Sequence, residues 1–171
     1  MSHNDFATKL RNIKLFVLDV DGTLTDGGIF IDSEGHEFKR FDAHDGHGIK
    51  LLQKAGIEVA FLSGRSSKPV EIRAKELGVK IVLQGFFKKE SPLLKVMKER
   101  KLTKEEVAIM GDDVSDLEMA GVAGVSFAPA NAIEAVKRQV DHVTKRSGGN
   151  GAVREACDLI LETLEANEPK S

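Results

Sequence analysis

The sequence predicts an α/β domain in three layers, with a doubly wound parallel sheet between two sets of helices and a β-hairpin inserted after the first strand. Three observations point to it. Short, near-continuous apolar runs recur along the chain, as strands covered on both faces require. Helical patterns with readable ends alternate with those runs, as strand–helix–strand crossovers do. Polar residues capable of chemistry gather just past the runs, where an open parallel sheet places its sites. With 171 residues, the chain is the size of one domain, 1–171, and can bury a core without disulfide or metal staples.

The elements follow in order. "MSHNDFATKLRNIK" is polar and has no apolar signal core. "KLFVLDV" (14–20) is the first strand. "GGIFIDSEGHEFKRF" (27–41) breaks the alternation and reads as two short strands joined at "DSEG". Phe30, Phe38 and Phe41 in that hairpin are costly to leave in water, so it is expected to make a contact as a flap or with another copy. "GHGIKLLQKAG" and "KPVEIRAKELG" are helices whose closing glycines, Gly56 and Gly78, suit a left-handed cap. "IEVAFLS" (57–63) and "VKIVLQG" (79–85) are strands beside them. Ser91 before Pro92 fits an N-cap with proline at the first helical position. Thr103 with Glu106, and Ser115 with Glu118, have capping-box spacing on either side of the strand "VAIMGDD" (107–113). "AGVSFA" and "DHVT" are weaker strands, and a helix and tail fill about 150–171. Cys157, alone of its kind and inside "REACDLILETL", reads as a small core residue.

Composition removes several functions. Lys plus Arg is 25 and Asp plus Glu is 27, a formal charge of −2 that gives no attraction to nucleic acid or anionic membrane. There is no Trp or Tyr to build a stacking platform for single strands. No run approaches bilayer-spanning length, and a lone cysteine suits a reducing compartment, so a soluble cytoplasmic protein is expected.

The chemistry collects at strand ends. Asp19 and Asp21 close the first run, Ser63 and Gly64 the second, and Gly85 the third, with Lys89 soon after; Asp112, Asp113 and Asp116 close the fourth. Such acids repel one another unless a cation sits among them, and hard oxygen ligands suit Mg²⁺. A carboxylate beside Mg²⁺ can attack phosphorus to give an aspartyl-phosphate. A second carboxylate two residues on can protonate the departing alkoxide and then activate water. Ser63 and Lys89 can hold the phosphoryl oxygens.

"DVDGTLT", the serine of "LSGR", a lysine after the third strand and "GDDVSD", in this order, resemble the haloacid dehalogenase superfamily of phosphohydrolases, whose sheet is Rossmann-like. The resemblance implies Asp19 as nucleophile, Asp21 as general acid/base, and Ser63 and Lys89 as phosphate ligands. It implies Mg²⁺ held by Asp19, Asp112 and the Asp21 backbone carbonyl, with Gly64, Asp113 and Asp116 in support. "FDAHDGHGIKLL", "LSGRSSKPVEIRAKELGV", "QGFFKK" and "TKRSGGNGAVREACDLIL" further resemble the 3-deoxy-D-manno-octulosonate 8-phosphate phosphatases, from about residue 12 to 164. That family is capless and tetrameric, its hairpins associate, a neighbouring subunit helps cover each active site, and its product is a lipopolysaccharide precursor. Its substrate contacts map onto Asp42, Ala43, His44, Asp45, Gly46, Arg65, Arg73, Lys89 and Asp113. A guanidinium can grip a sugar acid's carboxylate with two hydrogen bonds, which suits Arg65 and Arg73; from spacing alone Arg73 fits a solvated helix face equally well.

Two departures stand out. "FFKKE" leaves Lys88 as a stand-in for Lys89, and "LEMAGVAGV" lacks a basic pair common in relatives. Three other readings compete: a receiver domain, a phosphatase of a nine-carbon keto-acid phosphate, and a non-catalytic scaffold. Receivers carry the phosphoacceptor after the third strand, whereas "DVD" puts both acids on the first. Relatives acting on the nine-carbon acid tend to carry Glu where Arg65 stands. Against a scaffold, every motif residue is present.

Overall fold

The computed structural model describes residues 3–166, so the expected tail at 167–171 lies outside the described residues. In chain order the elements are α1 (His3–Leu10), β1 (Leu15–Leu18), β2 (Phe30–Ile31), β3 (Glu37–Phe38), α2 (Ala43–Lys54) and β4 (Glu58–Leu62). There follow α3 (Lys68–Leu77), β5 (Ile81–Leu83), α4 (Glu90–Arg100), β6 (Val107–Met110), α5 (Leu117–Val122), β7 (Val125–Ala128), α6 (Glu134–Lys137), β8 (His142–Val143) and α7 (Ala152–Glu165). Six strands form one sheet in the order β5-β4-β1-β6-β7-β8, every neighbouring pair parallel. The three-layer α/β expectation holds.

Side chains alternate across this sheet and build two cores. Phe16 and Leu18 face a cluster with Ile49, Leu52, Phe61, Phe127, Cys157 and Ile160. Leu15 and Val17 face the other side, with Leu62, Leu93, Val96, Ile109 and Met119. Each such large side chain stabilises the fold by about 1.5–3 kcal/mol relative to exposure. The Cys157 thiol is fully buried and its pKa pushed well up by that burial, as befits a packing residue.

Central β1 has register that brings strand ends level. Leu18 lies opposite Phe61 and Met110, the Asp19 amide donates to Met110 O at 2.9 Å, and the Ser63 amide to Leu83 O at 2.9 Å. The polar residues that follow these strands therefore emerge on one rim.

Helix ends differ from expectation in two places. Residue Lys89 holds the N-cap position of α4, so Ser91 and Pro92 sit inside the first turn, where a missing N–H costs no intrahelical bond. The expected Ser115–Glu118 box is replaced by one between Asp113 and Asp116, which opens a short 3₁₀ turn before α5. Asp113 wins because its carboxylate reaches the Val114 amide at 2.7 Å, while Glu118 is drawn off to accept from the Lys89 amide at 2.9 Å. The Thr103–Glu106 box forms, over a single 3₁₀ turn leading into β6. Gly56 and Gly78 take φ of 87° and 75°, as their capping positions require.

The hairpin pairs Phe30 with Phe38. Phe41 is half-buried against the core beneath the Arg73 guanidinium, whereas Ile29, Phe30, Ile31 and Phe38 stay exposed.

One buried acid holds the last helix. Asp45, on α2, accepts from the Arg154 amide at 2.7 Å and the Gly151 amide at 3.3 Å, doing for α7 what its own cap residue, Gly151, cannot. Burial pushes the Asp45 carboxyl up to about 6 from an ordinary 3.8, against the pull of those amides. The folded protein thus holds this proton more tightly than the unfolded chain. The stability from that difference is fully present below about pH 4 and is lost as pH rises through about 6. Asp45→Asn is expected to fall less steeply than wild type in denaturation midpoints taken across that window. Parallel profiles for the two proteins would rule this out.

Candidate active site

The chain leaves β1 into an irregular turn, Val20–Leu24, in which Gly22 takes φ 97°. A Cβ there would lie 2.0 Å from Asp112 Oδ2, so both backbone and neighbour demand glycine. Thr25 Oγ1 donates to Val20 O at 3.4 Å and accepts from the Gly22 and Gly27 amides at 3.3 and 3.2 Å. A distant loop clamps the turn from outside. Asn131 Nδ2 donates to Gly22 O at 3.0 Å, its Oδ1 accepts from the Gly148 amide at 2.6 Å, and the Gly149 amide donates to Thr23 O at 3.1 Å. A Cβ on Gly148 would come within 1.8 Å of Gly22 O, so the two backbones touch.

The rim holds a crevice of about 340 Å³ in which four strand ends meet. Asp19 and Asp21 come from β1, Ser63, Gly64 and Arg65 from β4, Phe87 and Lys89 from the segment after β5, and Asp112, Asp113, Ser115 and Asp116 from the segment after β6. Lys89 lies at the centre, its side chain buried. Its Nζ contacts Asp19 Oδ1 and donates to Asp116 Oδ1 at 2.5 Å. Asp116 Oδ2 accepts from the Asp112 and Asp113 amides at 2.9 and 3.1 Å. Lys88, in contrast, is exposed and lines a separate depression with Phe86 and Pro92.

Carboxylate oxygens of Asp19, Asp112 and Asp116 lie within 4.8 Å of one another. Burial, then the charge of Asp116, holds the Asp19 carboxyl well above its usual range, with Lys89 pulling the other way. Burial, then Asp116 and Asp113, pushes Asp112 up to about 7. Burial draws Lys89 down, but the charges of Asp19 and Asp116 outweigh it and leave Lys89 raised. Three carboxylates against one ammonium leave the cluster short of positive charge. Asp116 is already engaged by Lys89 and two amides, so Asp19 and Asp112 are the side chains able to hold a cation. Hard oxygen donors and unmet negative charge fit Mg²⁺.

Ser63 is buried, and its Oγ accepts from the Arg65 amide at 3.2 Å. The Arg65 guanidinium is exposed, donates to Glu37 Oε1 at 2.8 Å and has Nε 3.9 Å from Asp21 Oδ2. Other expected contacts lie outside this crevice within the single chain. Arg73 donates to Glu76 Oε2 at 2.8 Å and Asp42 O at 3.2 Å, and lines a neighbouring depression with Glu37, Lys39 and Ala43. Asp42 caps α2 through the His44 and Asp45 amides at 2.7 and 3.3 Å. His44 borders a third depression beside Arg154, and buried Gly46 packs under Arg73.

Sequence reasoning passed over Lys39 and Asn131. Lys39 is buried at the side chain, contacts Asp21 Oδ1 and lies 3.2 Å from Glu37 Oε1. Its signal was strand alternation: one residue past exposed Phe38, it faces the opposite side of the hairpin. For Asn131 the signal was its place just beyond β7, on the same rim as the acids.

A family model for haloacid dehalogenase-like hydrolases matches residues 81–155. The 3-deoxy-D-manno-octulosonate 8-phosphate phosphatase of Haemophilus influenzae is 46% identical over 154 residues, 90% of this chain and 86% of that protein. The phosphatase of that name from Moraxella catarrhalis, in a crystal structure with magnesium ion, phosphate ion and KDO, superposes with a TM-score of 0.93 at 40% identity, covering 96% of this chain and 97% of that one. A cobalt-bound structure of the Haemophilus influenzae phosphatase superposes with a TM-score of 0.89 at 44% identity, covering 92% of each chain. Among the described residues, no helix is long and apolar enough to cross a membrane.

Proposed function

This chain belongs to the 3-deoxy-D-manno-octulosonate 8-phosphate phosphatases, within the haloacid dehalogenase-like hydrolases, and from that premise we propose how its residues carry the reaction. It is a Mg²⁺-dependent phosphomonoesterase that releases phosphate from 3-deoxy-D-manno-octulosonate 8-phosphate. The observation that carries the assignment of roles is the convergence of Asp19, Asp21, Ser63, Lys89 and Asp112 on one crevice.

Asp19 attacks phosphorus and becomes the aspartyl-phosphate. Asp21 protonates the departing C8 oxygen, then takes a proton from the water that hydrolyses the intermediate. The Ser63 hydroxyl and Lys89 ammonium hold phosphoryl oxygens, and Asp116 keeps Lys89 in place. Asp113 and Gly64 shape the rim, Gly64 by leaving room beside the Phe87 ring. Mg²⁺ would be held by Asp19, Asp112 and the Asp21 carbonyl, and would neutralise charge on the phosphoryl group.

The sugar acid's carboxylate falls to Arg65, which sits beside Ser63 and Asp21. Arg73 and Ala43 line the adjoining depression, and the rest of the expected contact segment (Asp42, His44, Asp45 and Gly46) forms the cap and first turn of α2 beside it, with Asp45 and Gly46 buried. Arg65 also favours the eight-carbon substrate over a nine-carbon one. Arg65→Ala is expected to lose charge-assisted hydrogen bonds worth about 1.5–3 kcal/mol. That is roughly a tenfold to hundredfold loss in kcat/KM for the keto-acid phosphate, with a much smaller loss for a small aryl phosphate. Equal losses on both would assign Arg65 to the phosphoryl group or the fold. Comparable wild-type turnover of eight-carbon, nine-carbon and neutral sugar phosphates would remove the substrate assignment.

The exposed Ile29, Phe30, Ile31 and Phe38 support a homotetramer with hairpins at its centre and neighbours covering the crevices. The enzyme then works in the cytoplasm, feeding lipopolysaccharide precursor synthesis. A monomeric mass by light scattering at micromolar concentration would defeat the tetramer.

A further inference from the structure

Among the described residues, two lysines reach the acids of the crevice. Lys89 is one; the other, Lys39, rises from a hairpin whose neighbouring side chains are largely in solvent. Its own side chain is 2% exposed. Removing an ammonium from water is unfavourable unless partners compensate, so what Lys39 touches must hold it there. It contacts Asp21 Oδ1 and lies 3.2 Å from Glu37 Oε1, and Glu37 in turn accepts from Arg65 at 2.8 Å. Asp21 Oδ2 is buried with no hydrogen-bond partner among the described residues. The carboxylate is thus tied at one oxygen, while the other makes no hydrogen bond and has the Arg65 Nε as its charged neighbour at 3.9 Å.

We infer that Lys39 is a positioning residue for Asp21, fixing the carboxylate so that the oxygen without a hydrogen bond meets the departing oxygen of the substrate. This rests on the reading of Asp21 as proton donor. The hairpin accordingly belongs to the catalytic apparatus as well as to any assembly it makes. A lysine that only fastened the hairpin down would affect every substrate alike. One that aims a proton donor affects substrates in proportion to how much their leaving group needs the proton.

The test compares kcat/KM for phenyl phosphate and 4-nitrophenyl phosphate in Mg²⁺. Phenoxide is a basic leaving group that gains greatly from protonation, whereas 4-nitrophenoxide leaves almost unaided. Lys39→Met should lose about tenfold or more on phenyl phosphate beyond its loss on 4-nitrophenyl phosphate. Since both rates come from one preparation, any loss of folded protein cancels. Lys39→Gln, which keeps a donor for Asp21, should show a smaller skew. Equal losses on both substrates, or no loss, would overturn the inference. Asp21→Asn separates the two levels of argument. If it shows the skew and Lys39→Met does not, Lys39 alone is misassigned; if it shows none, the acid/base reading of Asp21 falls and the inference with it.

Discussion

Asp19→Asn is expected to abolish turnover, by about 10⁴-fold or more, in a protein that still folds and binds Mg²⁺ weakly. The substitution keeps size and shape and removes only the charge that attacks phosphorus. Folding should survive for reasons visible around the side chain. Burial holds the Asp19 carboxyl well above its usual range, so its charge is a cost to the folded state that the amide does not incur. Lys89 keeps Asp116 at 2.5 Å and is not left alone. Phosphate release from the sugar-acid phosphate, with circular dichroism on the same sample, decides the matter. A folded variant retaining a substantial share of activity would exclude a covalent route through Asp19.

Complete loss of activity on chelation, restored by Mg²⁺, is the second large effect. The acid cluster carries more negative charge than Lys89 can balance, and a phosphoryl group adds more. Ca²⁺ should bind and work poorly, since its looser, larger coordination misaligns nucleophile and phosphorus. A pH signature accompanies this. The metal-free Asp112 carboxyl is pushed up to about 7, so protons compete with the cation there. Mg²⁺ affinity should therefore weaken as pH falls through about 7, seen as a higher Mg²⁺ requirement for half-maximal activity. Full activity in Ca²⁺ or after thorough chelation would contradict the site as drawn.

Much of this site was legible because strand ends advertise themselves. "DVD" and "GDD" close apolar runs, and parallel register carries whatever follows them to one rim. In the sequence, only its register in the resemblance favours Lys89 over Lys88; burial beside Asp19 and Asp116 separates the two. Helix caps were less secure. Ser115 and Glu118 have box spacing, yet the geometry of the loop puts the Asp113 carboxylate on the Val114 amide instead. Lys39 was missed for a different reason. Its partner is 18 residues away across an irregular turn, and the alternation that sets it opposite Phe38 does not say which face of the hairpin turns inward. Arg73 and the first turn of α2 lie outside the crevice in one chain, and no periodicity in a sequence indicates how far a substrate reaches.

The clamp on the turn after β1 also has a consequence for birth of the enzyme on the ribosome. Asp19 emerges early, yet its turn is held by Asn131, which follows β7, and by Gly148 and Gly149, which precede only the last helix. Central β1 likewise waits for β6 before its second edge is paired. At about 5–20 residues per second, the nucleophile spends on the order of ten seconds without the backbone that shapes it. Nascent chains cut short before the glycine loop would carry every attacking and proton-donating group without the backbone contacts that shape the turn.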